Sequence, residues 1–150
     1  MALITTSRRS TPVVRRIAKD LVFATGSTYL SRGKAGIRDI AQISPYFFII
    51  SEIRNARIRI QLFHQEIALI DCVVTELESK PREWALFRGV RTSNAVYEAA
   101  IKKACSCDTL LFEADLSVIA YDGPQKRHHT LTVEAYDDVK TNTKNAKDRS

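Results

Sequence analysis

"LITTSRRSTPVVRRIAKDLVFATG", Leu3–Gly26, carries the reading on which the fold depends. It opens on a short apolar run, "ALITT" when Ala2 is included, of the length and composition of a buried strand. A helix start signal follows at once. Ser10 or Thr11 can accept the first free N–H groups, and Pro12 suits the first helical position because its missing N–H is not needed there. Val14, Ile17, Ala18, Leu21 and Val22 then recur at helical spacing and form one apolar stripe, with Arg15, Arg16 and Lys19 on the other side. Gly26 is placed to end the helix in a left-handed conformation. A buried strand feeding a capped amphipathic helix is the unit of an α/β fold.

The rest of the chain extends that unit. "TYLS" reads as a short strand, and the stretch "YLSRGKAGIRDI", Tyr29–Ile40, runs into a second helix with Ile37, Ile40, Ala41 and Ile43 as its stripe, stopped by Pro45. From Tyr46 the period changes. "YFFIIS" suits a central strand, and "ARIRIQLF" alternates Arg57, Arg59 and Gln61 with Ile58, Ile60 and Leu62. "IALIDCVVTEL" follows the "HQE" connection as a further strand or a helical start, and Pro81 closes the segment. A second cycle is expected from Trp84: "WALFRGV" as strand, Ser93 as cap, and a helix carrying Tyr97, Ala100, Ile101, Ala104 and Cys105 on one face. "TLLFEADLSVIAYD" and "HHTLTVEAYD" come next as strands joined by the turn "DGPQKR". The expected organisation is one domain over residues 1–136, with similar halves of about 1–80 and 81–136. A polar tail at 137–150 lacks apolar periodicity and is expected to be disordered. The repetition is architectural, because "RRIAK" and "AAIKK" share little beyond helix character.

Charge is distributed unevenly along this pattern. Residues 1–60 hold 11 Lys or Arg against 3 Asp or Glu, and residues 61–150 hold 12 against 14, so the overall +6 belongs to the first part of the chain. Such a block either binds a polyanion or solvates a surface. Its placement bears on the choice. Arg8, Arg9, Arg15 and Arg16 gather around the start of the first helix, and Arg32 and Lys34, with Arg38 just beyond, around the start of the second. The helix macrodipole disfavours cations there, whereas free N–H groups and the close backbone approach allowed by Gly33 suit a phosphate. Arg57 and Arg59 either extend the patch or guard an edge strand.

Other function classes find little support. At 150 residues, 45% hydrophobic and 27% charged, the chain has the composition of a folded domain. No apolar run approaches the roughly 18 residues of a membrane span, and "MALITTSRRS" reverses the charge order of a signal peptide, so a cytoplasmic location, nucleolar in a nucleated cell, is expected. Three cysteines, Cys72, Cys105 and Cys107, do not make a disulfide framework. "CSC" with His64, His128 and His129 supplies at most half of a structural zinc pattern, so buried thiols and no metal are expected. Asp71, Glu76 and Glu78 show no acid/base spacing, no nucleophile or phosphate-loop motif is present, and Phe47 and Phe48 lie in a run suited to core packing. Neither an active site nor a cofactor is expected.

"LITTSRRSTPVVRRIAKDL", "YLSRGKAGIRDIA" and "FFIISEIRNARIRIQLF", in that order, resemble the N-terminal half of Brix-domain proteins, particularly the short archaeal ones. The likeness covers roughly residues 3–63, with "IRNA" standing where the family tends to carry Gly-Asn-Pro. It implies two similar α/β halves, each similar to the anticodon-binding domain of class II aminoacyl-tRNA synthetases. It also implies a non-catalytic role in ribosome biogenesis, with precursor ribosomal RNA and pre-ribosomal proteins as partners and neither a membrane nor a small-molecule substrate involved. The RGK stretch, Arg32, Gly33 and Lys34, would then face RNA phosphates. A tRNA-docking accessory domain of an enzyme complex is the alternative, and a protein-interaction adaptor the third.

Overall fold

Thr11 caps the first helix as its type predicts: its hydroxyl accepts from the Val14 N–H at 3.3 Å, and Pro12 occupies the first turn. In the computed structural model, which describes residues 2–136, strand β1 (Leu3–Thr6) leads into helix α1 (Pro12–Thr25). Gly26, at φ 69°, ends that helix with its N–H and that of Ser27 both on the Val22 carbonyl. Strand β2 (Thr28–Tyr29), helix α2 (Ile37–Ile43) and strand β3 (Tyr46–Ile53) follow, and a tight turn at Arg54–Ala56 leads to β4 (Arg57–His64). β5 is a strand throughout, Ile67–Pro81, with a bulge between Val74 and Glu76. The chain then forms β6 (Gly89–Thr92), helix α3 (Ala95–Ala104), β7 (Asp108–Leu111), β8 (Ser117–Asp122) and β9 (Arg127–Ala135).

The nine strands of the described residues join one sheet in the order β2-β1-β3-β4-β5-β9-β8-β6-β7. β1 is parallel to both β2 and β3, and β6 is parallel to β7; every other neighbouring pair is antiparallel. The long β5 holds the halves together, pairing β4 along Ile67–Val73 and β9 along Cys72–Pro81. Alternation along the strands then builds two cores. Phe48, Ile50, Ile60, Leu62 and Cys72 point to the face covered by α1 and α3, whereas Phe47, Ile49 and Phe63 meet Ile40 of α2 on the other. The larger core draws on both halves. α1 packs on β1 and β3 and also touches β6 and β8, with the Tyr121 hydroxyl donating to the Ile17 carbonyl at 3.0 Å.

Strand, helix and parallel strand therefore occur twice, as β1–α1–β2 and β6–α3–β7, but the sequels differ. In the first half α2 carries the chain back to a parallel β3. In the second, the short link Phe112–Leu116 returns it as an antiparallel β8.

Four expectations require correction. "WALFRGV" is not a strand before Gly89, because the Phe87 N–H donates to the Asp122 carboxylate and Trp84 packs edge-on against His128 at 4.9 Å. The α3 cap is Asn94, whose Oδ1 accepts from Val96 and Tyr97. Ser93 instead joins the Leu116 carbonyl to the Val118 N–H. "TLLFEADLSVIAYD" is two strands. In the α2 stripe only Ile40 is fully buried, while Ile37 and Ile43 remain exposed. The tail at 137–150 lies outside the described residues.

Candidate nucleic-acid interface

β1 and β2 lie side by side and point the same way, yet their outgoing loops lead to helices on opposite faces of the sheet. Such a divergence opens a crevice beyond the carboxyl ends of the strands, where open α/β sheets commonly bind ligands. Hydroxyl groups brace its floor. Thr5 donates to the Leu30 carbonyl at 2.7 Å, and Thr6 lies 3.2 Å from the Ser10 hydroxyl and 3.3 Å from the Tyr29 hydroxyl. The Ser7 N–H bonds the Ile50 carbonyl, which ties the loop to β3. Because β3 is parallel to β1, its turn at Arg54–Ala56 reaches the same end of the sheet.

The walls carry the cations. Loop 7–11 holds Arg8 and Arg9, both exposed, and α1 adds Arg15 and Arg16 in its early turns, also exposed. No carboxylate stands in the first turn of α1. Loop 30–36 holds Arg32, Gly33 and Lys34. Arg8 donates to the Lys34 carbonyl at 3.3 Å, and the Arg32 Nε donates to the Ala35 carbonyl at 2.9 Å. Half-burial and the nearby Arg8 charge pull Arg32 below the usual arginine range. Two like charges are thus held close by backbone carbonyls rather than by an acid. Gly33 sits at φ 55° with open space where a side chain would be.

Two of the candidates are paired with carboxylates. Arg38 pairs with Glu66 at 3.2 Å. Arg59 is clamped by both oxygens of Asp71, at 2.8 and 2.6 Å, and lies over the Tyr136 ring. Arg57 stays exposed at the head of β4, and Arg54, which the sequence reading passed over, joins the same end from the turn. Its signal was positional: a hairpin turn following a strand parallel to β1. The start of α2 also differs from expectation, since the Gly36 N–H donates to the Asp39 carboxylate at 3.0 Å and that helix carries its own anion.

A second polar cluster was not anticipated. Asp20, on the buried side of α1, accepts two bonds from Arg127, each 2.8 Å, and a third from His129 Nε2 at 2.6 Å. His129 Nδ1 lies 2.7 Å from the Ser79 hydroxyl. Burial pushes the Asp20 carboxyl up, but the Arg127 and His129 bonds outweigh it and hold the group below its ordinary 3.8. Beside it, His128 Nδ1 meets Asp122 at 2.7 Å. With the histidines so engaged, no cluster of three or more His, Cys, Asp or Glu suited to a metal forms among the described residues. Cys72 and Cys105 are buried, whereas Cys107 is half-buried and its thiol is lowered by the neighbouring Cys105.

These features define a class, an α/β domain with one curled sheet and a cation-lined strand-to-helix crevice at one end. No family model matches the chain. It is 40% identical over 55 residues to a "Probable Brix domain-containing ribosomal biogenesis protein" of Archaeoglobus fulgidus, a match spanning 37% of this chain and about a third, 36%, of that relative. In fold it is similar to a probable ribosomal biogenesis protein of Aeropyrum pernix K1, at a TM-score of 0.58 and 20% identity, covering 91% of this chain and 97% of the other. It is also similar to Mil, an archaeal Imp4-like protein, at 0.53 and 16%, covering 87% and 95%. The resemblance to Brix-domain proteins read from the sequence is borne out by the Archaeoglobus relative, and the two solved structures show the same fold.

Proposed function

We propose that this chain is a Brix-domain protein of ribosome biogenesis that binds precursor ribosomal RNA, without catalysis, through the cation-lined crevice. The observation that carries the reading is the convergence of loops 7–11 and 30–36 at the ends of β1 and β2, with Arg8 and Arg32 held together and no acid between them. Such a site binds phosphates by charge and by the N–H groups and open backbone around it, and it reads RNA shape more than sequence. Of the sequence candidates, Arg8, Arg9, Arg15, Arg16, Arg32, Gly33, Lys34 and Arg57 make the contact, joined by Arg54, while Arg38 and Arg59 serve structure. The domain runs over 1–136, and the repeated strand–helix–parallel strand unit supports two halves of the anticodon-binding kind. Pre-ribosomal proteins are its further partners. A cytoplasmic location, nucleolar in a nucleated cell, goes with that role, and no helix among the described residues is long and apolar enough to cross a membrane.

Replacing Arg9 and Lys34 with Glu tests the site, because both are exposed and neither side chain braces the loops. RNA affinity should fall at least tenfold while thermal stability stays unchanged. The corresponding Ala changes should reduce the log–log salt slope by about 0.7 to 0.9 per lost phosphate contact. Changing Lys102 and Lys103 to Glu is the control and should leave affinity nearly intact. Cross-linking in cells should recover precursor ribosomal RNA; recovery of tRNA alone would favour the docking-domain alternative.

A further inference from the structure

We infer that the outer edge of β7 is a strand-addition site for an extended, basic segment of a partner protein. Among the described residues β7 is a terminal strand of the sheet and pairs only with β6. Exposed edges are normally blunted by brevity, Lys, Pro or a bulge. The opposite edge follows that rule, since β2 has only two residues. β7 is twice as long, Asp108–Leu111, and carries no Lys, Pro or bulge. Leu110 and Leu111 are each 50% exposed, on alternate faces, and Phe112 and Leu116 continue the apolar surface at 37% and 65%. The missing helix is the cause. In the first half α2 covers Phe47, Ile49 and Phe63, whereas in the second the Phe112–Leu116 link covers nothing comparable.

The Phe112 N–H bonds Thr92 on β6, so by alternation the Leu111 N–H points outward to an incoming strand. An added strand would cover both leucines. A further side chain could enter the open cavity of about 710 Å³ between Ser93 and the Leu111–Asp115 stretch. Charge selects the occupant. From Ala104 to Gln125 the chain has no Lys or Arg, while Asp108, Glu113 and Asp115 flank the edge. A second copy would bring these acids against their equivalents, and RNA would be repelled by them. A basic extended peptide matches both the backbone edge and the acidic rim.

An eight-residue peptide alternating arginine with valine is the probe, and one alternating glutamate with valine the control. Binding is read by fluorescence anisotropy and by amide hydrogen exchange. The basic peptide should bind saturably, weaken with salt and slow exchange within Asp108–Phe112, while the acidic peptide does neither. Leu111→Pro removes the outward N–H without touching the β6 ladder, and should reduce binding at least tenfold. Glu113→Lys with Asp115→Lys should also weaken it, so the idea stays testable if the proline variant misfolds. Both variants should keep wild-type RNA affinity, which separates this site from the crevice. Absence of protection at β7, equal binding of the acidic peptide, or dimerisation of the chain through this edge in sedimentation would each overturn the proposal.

Discussion

Asn55 and Ala56 both sit in the left-handed region, at φ 63° and 58°, and the Arg57 N–H returns to the Arg54 carbonyl. Two consecutive positive φ values make the primed turn that matches the twist of a β-hairpin. Asparagine tolerates that conformation, but alanine pays for its Cβ. Ala56→Gly should therefore raise stability by about 1 kcal/mol, less the extra freedom glycine gives the unfolded chain, and denaturant unfolding will measure it. Stability falling with this change would mean that the turn is not of this type. Gln125 and Lys126 adopt the same pair of conformations between β8 and β9. The first turn stands in "IRNA", which lacks the Asn-Gly or Asp-Gly pair that signals such hairpins, and in "DGPQKR" the Asp122-Gly123 pair precedes the two left-handed positions rather than occupying them.

At the scale of elements, the join of α1 to the far half of the sheet is chemically the most distinctive feature. Asp20 reaches from the helix to Arg127 and His129 on β9, and the Gly123 backbone lies so close that an added Cβ would stand 2.5 Å from the Asp20 carboxylate. Asp20→Asn removes the charge that neutralises its partners and should cost about 3 kcal/mol. The sign of the pH effect follows from the lowered carboxyl pKa. The ionised group stabilises the fold above its ordinary 3.8, and that contribution disappears as pH falls through the folded-state value. Stability measured from pH 6 down to 3 should thus decline less steeply in the Asn variant than in the natural chain. Parallel curves would show that this cluster does not drive the acid response.

On the scale of the whole molecule, the shared core decides behaviour more than the repeated topology does. Val14, Ile17 and Leu21 of α1 belong to the same cluster as Val90, Ile119 and Leu131, and β5 completes both halves. A fragment of residues 1–80 would expose the face of α1 that β6 and β8 cover, together with the unpaired outer edge of β5. Calorimetry of the full chain should show one cooperative transition, and the fragment should lack one. Two resolved transitions would mean that the halves fold as separate domains.

By itself the sequence determined the first strand–helix unit, an α1 cap at Ser10 or Thr11, the stop at Gly26, the α1 and α3 stripes and the concentration of cations before residue 60. These are local matters of periodicity, φ preference and composition. Only tertiary structure decided which cations are already paired, because Arg38 and Arg59 look like their neighbours in sequence until Glu66 and Asp71 are brought beside them. The same holds for Asp20, whose role emerges only when Arg127 and His129 arrive from more than 100 residues away. The single sheet, and with it the bare edge at β7, rests on pairings whose partners lie far apart in the chain. Backbone hydrogen bonds carry no residue code, so register and neighbour were set by what the whole molecule could bury.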